Sequence, residues 1–188
     1  IIAAKEFNLP QIQDAMLACL GTNKNDTLDI LNKKYGHLCN PQNFLSRASE
    51  LFHKLEFEDG IALMPYAKEC LEYLQPKYRI ALASSTRNEL VIRQLKNANV
   101  LEFFEVIVTG DMVLHSKPDP EIYLKACEEL NIPPENCIAI EDSPNGLKSA
   151  FFAGLNTIMV PDKIQPNEEL NQFIWKKCDS LKNVMDML

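Results

Sequence analysis

The sequence predicts an α/β protein: a parallel sheet covered by helices on both faces, preceded by a small all-helical unit. Three observations lead there. Helical periodicity runs from Pro10 to about Phe57 with no strand pattern to interrupt it. Beyond that point helices alternate with short apolar strands, the pattern of a parallel sheet. Each of three successive strands then ends in polar residues, which places chemistry at the carboxyl ends of the strands, where α/β sheets bind ligands.

In the helical unit, Ile12, Met16 and Leu17 are expected to share one face, and Leu28, Leu31 and Tyr35 another. A polar loop, Gly21 to Thr27, is expected between those two helices. The third helix has the fullest signature. Asn40 can cap it, Pro41 suits its first position, and Phe44, Ala48, Leu51, Phe52 and Leu55 fall on one side. The stretch EFEDGIALMP, Glu56 to Pro65, reads as the connection to the sheet.

The sheet region opens with a helix carrying Ala67, Cys70, Leu71 and Leu74, followed by the strand Arg79 to Ser84. The helix Leu90 to Lys96 and the strand Glu105 to Gly110 come next. Asp119 and Pro120 then start a helix that turns Tyr123, Ala126, Cys127 and Leu130 inward. The strand Cys137 to Ile140, apolar and expected to be buried on both faces, leads into a helix capped by Ser143, begun by Pro144 and closed by Gly154. A last strand spans Asn156 to Pro161, and the tail Asn167 to Leu188 is expected to form one or two short helices at the edge.

Bulk properties narrow the function. The 188 residues suffice for one large domain or two small ones, and 46% hydrophobic with 24% charged is ordinary globular composition. A net charge of −7 with no basic block argues against nucleic acid as a partner, though not against a small phosphorylated one. The six cysteines include no C-x-x-C pair and read mostly as reduced core residues, which points to the cytoplasm. His37, His53 and His115 lack metal-ligand spacing. No apolar run reaches the length of a membrane span, and the first ten residues lack the layout of a signal peptide.

The chemistry sits at the strand ends. ALASSTRN, Ala81 to Asn88, runs from a strand through three hydroxyl residues into a helix, where backbone N–H groups and the Ser84 hydroxyl can cradle a phosphate. An ordinary Ser/Thr cap is the competing reading. Lys117, in HSKPDPEIY, can cross the mouth of the sheet and neutralise a phosphoryl oxygen. Glu141 and Asp142, in CIAIEDSPNG, are paired hard-oxygen donors that suit Mg²⁺, unless they serve only the positive end of the following helix. Chance makes one such loop often, and three in a row seldom.

Taken together, ALASST, TGD followed by SKPDPEIY, and EDSPNG resemble the haloacid dehalogenase-like superfamily, in its phosphatase and β-phosphoglucomutase-like branch. The resemblance covers most of the chain. It implies a Rossmann-like core over residues 64–188 and a helical cap over residues 1–63. It implies that Ser84 and the Ser85 N–H hold the transferring phosphoryl group, that Lys117 neutralises it, and that Glu141 and Asp142 hold Mg²⁺. It points to Lys24, Thr27, Lys54, Arg87 and Asn88 for substrate selection, and to a cap that moves about the Glu56–Pro65 connection.

The expected activity is Mg²⁺-dependent hydrolysis of a small phosphorylated metabolite, a sugar phosphate above all, through an aspartyl-phosphate. Monomer or weak oligomer is expected, with neither nucleic acid nor membrane as a partner. A phosphomutase of the same architecture is an alternative, as is a non-catalytic phosphate or metal binder. A dinucleotide binder is disfavoured because no G-x-G-x-x-G follows any strand. One departure from the family pattern matters: the Asp-x-Asp that would supply the nucleophile and the general acid/base occurs nowhere in the sequence. The chain by itself is therefore expected to be inactive. An upstream strand and loop of roughly 10–20 residues, seated between the strands of Arg79–Ala83 and Cys137–Ile140, is expected to carry the nucleophile.

Overall fold

A computed structural model describes residues 1–19, 22 and 24–188, without the side chains of residues 57–59. The chain divides into two compact units, Ile1–Ile61 and Ala62–Leu188.

The first unit is wholly helical among its described residues: α1 (Ile2–Glu6), α2 (Ile12–Ala18), α3 (Lys24–Tyr35) and α4 (Pro41–Asp59). Its core joins Ala3, Ala4, Leu9, Ile12, Ala15, Leu31, Tyr35 and Phe44. The Tyr35 hydroxyl donates to the Pro10 carbonyl at 2.7 Å, and the Arg47 guanidinium ties α4 to Glu6 of α1 at 2.7 Å. Asn40 caps α4 as expected, accepting from the amides of Gln42 and Asn43 at 2.9 and 3.2 Å.

Several expectations for this unit change. The helix α1 was not anticipated; its burial rests on two alanines, too small to print a stripe. Ala15, not Met16 or Leu17, accompanies Ile12 inward, and both larger residues are about two-fifths exposed. Phe52 and Leu55 are nearly half exposed, so the inward stripe of α4 ends at Leu51. Lys24 to Thr27 form the first turn of α3 rather than a loop, while Gly21 and Asn23 of the expected loop lie outside the described residues. Glu56 to Asp59 complete α4, which shortens the connection.

The second unit alternates helices and strands: α5 (Ala67–Leu74), β1 (Ala81–Ser84), α6 (Asn88–Asn97), β2 (Val106–Thr109), α7 (Glu121–Leu130), β3 (Ile138–Glu141), α8 (Pro144–Phe152), β4 (Asn156–Met159), α9 (Glu168–Asn171), β5 (Lys176–Lys177) and α10 (Leu181–Met187). All pairings are parallel, β1 with β2 in one sheet and β3–β4–β5 in another. Val108, Ala139 and Ala150 pack with Ile122 and Ala126 of α7. Met159 of β4 packs with Leu147 of α8 and Leu170 of α9, whereas Ile158, on the opposite parity, and Val160, just past the strand, pack with Cys70, Leu74 and Val184 from α5 and α10. Helices thus lie on both faces of β4, as a parallel sheet requires.

β3 departs from its expected burial. Ala139 is buried, but Ile138 and Ile140 are 38% and 36% exposed. Among the described residues β3 is paired only with β4, and β1 only with β2, so each keeps an open edge. Cys137 precedes β3 and is half-buried, whereas Cys70, Cys127 and Cys178 are buried, and all six thiols are free. The tail contains the expected two helices and, between them, the unexpected β5, two exposed lysines with no apolar signal to announce an edge strand. Among the described residues no helix is long and apolar enough to cross a membrane.

Candidate active site

The carboxyl ends of β1, β2 and β3 converge through one side chain. Lys117, in the segment between β2 and α7, is only 6% exposed. Its Nζ donates to the Ala83 carbonyl on β1 at 3.1 Å and to Glu141 Oε1 at the end of β3 at 2.5 Å. The ammonium therefore spans the two sheets, linking the hydroxyl stretch to the paired acids. Sequence order alone gave Lys117 a mouth to cross; the contacts show what stands on each side.

Glu141 is held at both oxygens. Oε1 also accepts from the Tyr123 hydroxyl at 2.5 Å, and Oε2 accepts from the Ser143 hydroxyl at 3.1 Å. Burial pushes its pKa up, but the Lys117 charge and the three hydrogen-bond donors outweigh burial and hold it below the ordinary glutamate value. Burial pushes Tyr123 well above the usual phenol range, and the Glu141 charge pushes it further, so the hydroxyl stays a donor. Beneath the carboxylate lies Gly146 of α8, where a Cβ would collide with the Glu141 carboxyl atoms. Ser143 caps that helix, accepting from the Gly146 amide at 3.1 Å.

Asp142 is exposed as a residue and behaves in the opposite sense. Partial desolvation of its carboxyl raises its pKa first, and the neighbouring Glu141 charge raises it again. Two hard carboxylates thus share a region where Lys117 offsets only one negative charge. Glu141 Oε2 retains lone-pair capacity beyond its single bond to Ser143. This donor set suits Mg²⁺, which takes one or two protein carboxylates and completes its shell with water and phosphate oxygens.

The hydroxyl loop is stitched to the loop after β2. The Gly110 amide donates to the Thr86 carbonyl at 3.0 Å, and a Cβ on Gly110 would collide with the Ser85 carbonyl. Ser84 Oγ accepts from the Thr86 amide at 3.2 Å. Asp111 accepts from the Asn88 amide at 3.0 Å and from Thr109 Oγ1 at 2.6 Å. Those bonds, Thr109 foremost, hold its pKa below the ordinary aspartate value. The Asn88 amide at the start of α6 is therefore already committed to a carboxylate, which narrows the expected phosphate cradle to the Ser84 side of the loop. Asp111→Ala should speed exchange of the Asn88 amide at least tenfold in hydrogen-exchange measurements, since the loss of a charge-assisted bond is worth about 1.5–3 kcal/mol.

Arg87 and Asn88 stand together at the start of α6, Arg87 exposed and Asn88 half-buried. Lys24, Thr27 and Lys54 belong to the first unit. There Lys24 begins α3, Thr27 Oγ1 lies 2.9 Å from Thr22 Oγ1, and Lys54 is exposed on α4. His115 does come together with acids, Asp119 and Glu121, contrary to its unpromising spacing. Hydrogen bonding explains that group: Glu121 accepts from the amides of Leu114 and His115, both at 2.8 Å, and Asp119 caps the amide of Glu121 at 3.0 Å. The sequence reading missed three site residues. Tyr123 looked like an ordinary core position, Gly146 gave no strain signal, and Asp111 was legible only as an acid following a strand.

Known proteins resemble this chain in sequence and in fold. Residues 2–160 match the family model described as haloacid dehalogenase-like hydrolase. A phosphorylated carbohydrates phosphatase from Thermotoga maritima is 33% identical over 156 residues, which are 82% of this chain and 72% of that protein. Protein CbbY from Cereibacter sphaeroides is 39% identical over 125 residues, 64% of this chain but only 54% of the relative. Among solved structures, CbbY from Rhodobacter sphaeroides in complex with phosphate has a TM-score of 0.77 at 26% identity, over 97% of this chain and 85% of that one. A CbbY variant from the same organism with xylulose-1,5-bisphosphate has a TM-score of 0.74 at 27% identity, over 95% and 84% of the two chains. With the model match spanning most of the chain, the three motif-bearing strand ends are those of a member of the haloacid dehalogenase-like hydrolase family.

Proposed function

We propose that this chain provides the phosphate- and metal-binding parts of a Mg²⁺-dependent phosphatase that acts on small phosphorylated metabolites, sugar phosphates foremost. The observation that carries the reading is the span of Lys117, one buried ammonium touching both the end of β1 and the acid at the end of β3. A phosphorylated carbohydrates phosphatase and a CbbY structure holding xylulose-1,5-bisphosphate among the similar proteins support the substrate class. Free cysteines throughout the described chain support a reducing compartment, the cytoplasm.

In this reading the Ser84 hydroxyl and the Ser85 amide orient the phosphoryl group, and Lys117 neutralises one of its oxygens. Arg87 and Asn88, beside the hydroxyl loop, suit the part of the substrate that does not react. Glu141 and Asp142 would hold Mg²⁺, which when bound offsets phosphoryl charge so that an anionic nucleophile can approach. The nucleophile is assigned to an aspartate on an upstream segment, which adds a strand between the open edges of β1 and β3. One strand seated there would pair the N–H and C=O groups of both edges, each of which would cost about 1–3 kcal/mol if buried without a partner. Attack would form the aspartyl phosphorus–oxygen bond as the bond to the sugar oxygen breaks, and the departing oxygen would take its proton from the second aspartate of the same upstream Asp-x-Asp, which recovers one from the water of the next step. Water then attacks phosphorus, which releases inorganic phosphate and restores the carboxylate.

The test is release of inorganic phosphate from a panel of sugar phosphates by the native full-length protein, with and without Mg²⁺. Release that requires Mg²⁺ supports the reading. Conversion of one sugar phosphate to its isomer without free phosphate would replace it by a mutase. Separately, Asp142→Asn should weaken Mg²⁺ binding more than tenfold by calorimetry, because a hard cation loses a charged oxygen ligand. Unchanged affinity would remove Asp142 from the metal site.

A further inference from the structure

Tyr123 is a buried polar residue at the site that the proposed chemistry does not use. It lies in the first turn of α7, 8% exposed, with its ring in the cluster of Val108, Ala126, Ala139 and Ala150. Phenylalanine would fill that space equally well. A buried hydroxyl costs free energy unless it is hydrogen-bonded, so the bond that it makes is what distinguishes tyrosine here. That bond goes to Glu141 Oε1 at 2.5 Å, the same oxygen that accepts from Lys117 at 2.5 Å. The phenol oxygen lies 3.4 Å from Lys117 Nζ, and the ammonium is 4.9 Å from the ring centroid.

We propose that Tyr123 is a positioning residue whose hydroxyl holds the Glu141 carboxylate in place when Lys117 turns from that carboxylate to a phosphoryl oxygen. The inference rests on the assignment of Lys117 to phosphate and Glu141 to Mg²⁺. Those two assignments conflict unless something mediates them, because the ammonium and the carboxylate are each other's partners. A lysine that turns to phosphate gives up Oε1. Without the phenol, Glu141 would then keep only the bond from Ser143 to Oε2 and would be free to pivot about it. With the phenol, both oxygens stay fixed through the exchange. The hydroxyl also shares Oε1 while Lys117 is in place, which keeps the carboxylate from closing wholly onto the ammonium and away from a cation. Groups that orient metal ligands in this way commonly change metal affinity about 10–100-fold when removed.

The experiment is calorimetric titration of the native full-length protein with Mg²⁺ and, separately, with inorganic phosphate at fixed Mg²⁺. It uses wild type, Tyr123→Phe, Glu141→Gln and the double variant, with the melting temperature of each recorded. Tyr123→Phe should weaken Mg²⁺ binding roughly tenfold. It should leave phosphate affinity within about twofold and melt within a few degrees of wild type, because the ring still packs. In the Glu141→Gln background the same substitution should change Mg²⁺ binding less than about twofold, since coupled residues lose their effect when the partner is altered. Three results overturn the inference: an unchanged Mg²⁺ affinity in Tyr123→Phe, an equal loss in both backgrounds, or a large fall in melting temperature, which marks a structural role. A wild type that binds no Mg²⁺ overturns the proposed function itself. A wild type that binds Mg²⁺ with an indifferent Tyr123→Phe overturns the inference alone.

Discussion

Lys117→Ala should destabilise the second unit by about 3–5 kcal/mol, the usual cost of breaking a buried ion pair by removing one partner. The side chain is 6% exposed, and its removal leaves the Glu141 carboxylate buried with only Tyr123 and Ser143 as donors. The loss should depend on pH with a definite sign. In the wild type the folded pKa of Glu141 is lowered, so its contribution is present above the unfolded value of 4.5 and fades as the pH falls through the folded value. Without the Lys117 charge, burial dominates and the folded pKa rises, so the carboxylate becomes a burden at neutral pH that acid relieves. The deficit of the variant should therefore shrink between pH 7 and about pH 5, as read from denaturant melts at each pH. Binding of inorganic phosphate or vanadate should also weaken, by about 2–5 kcal/mol where the contact is desolvated. Equal melts at both pH values would show that the pair carries little of the stability of the unit.

Gly146→Ala should also destabilise, although alanine ordinarily improves a helix interior by about 0.5–1 kcal/mol. Gly146 is buried in α8 directly against the Glu141 carboxyl group, and a Cβ there would collide with it. Either the helix shifts from β3, or Glu141 leaves Lys117 and Tyr123. Overpacking of this kind costs about 1–3 kcal/mol. The expected readings are a lower unfolding midpoint and Mg²⁺ affinity reduced at least tenfold, since one carboxylate of the pair is displaced. A stabilised variant with normal Mg²⁺ binding would mean that the Glu141 side chain does not rest on this glycine in the working protein.

Much of the site was legible because its residues follow apolar strands directly. Ser84 ends β1, Glu141 ends β3, and Ser143 with Pro144 marks the start of α8 by cap chemistry that operates over a few residues. The periodicity of α7 also placed Tyr123 inward, and the structure agrees. What that periodicity could not reveal is the hydroxyl's partner, because a core tyrosine and a tyrosine bonded to an acid 18 residues away print the same stripe. Errors elsewhere share one cause. Met16, Leu17, Phe52 and Leu55 are apolar and correctly spaced, yet exposed. Spacing says which residues share a face, not how far along a helix its neighbours extend.

By itself, the sequence determined the order of helices and strands, the caps at Asn40 and Ser143, and the placement of hydroxyls, a lysine and two acids at successive strand ends. Those features are local: they depend on periodicity over one element or on hydrogen bonds within a few residues. Only the tertiary structure decided that Lys117 pairs with Glu141 across 24 residues of chain, that Asp111 bonds the Asn88 amide from another loop, and that Gly146 makes room for a carboxylate. It also decided that, among the described residues, β1 and β3 each keep an open edge and that two lysines form β5. Such contacts depend on which loops the sheet brings side by side, and on the burial that strengthens a charge pair, neither of which is encoded in the spacing of residues along one segment.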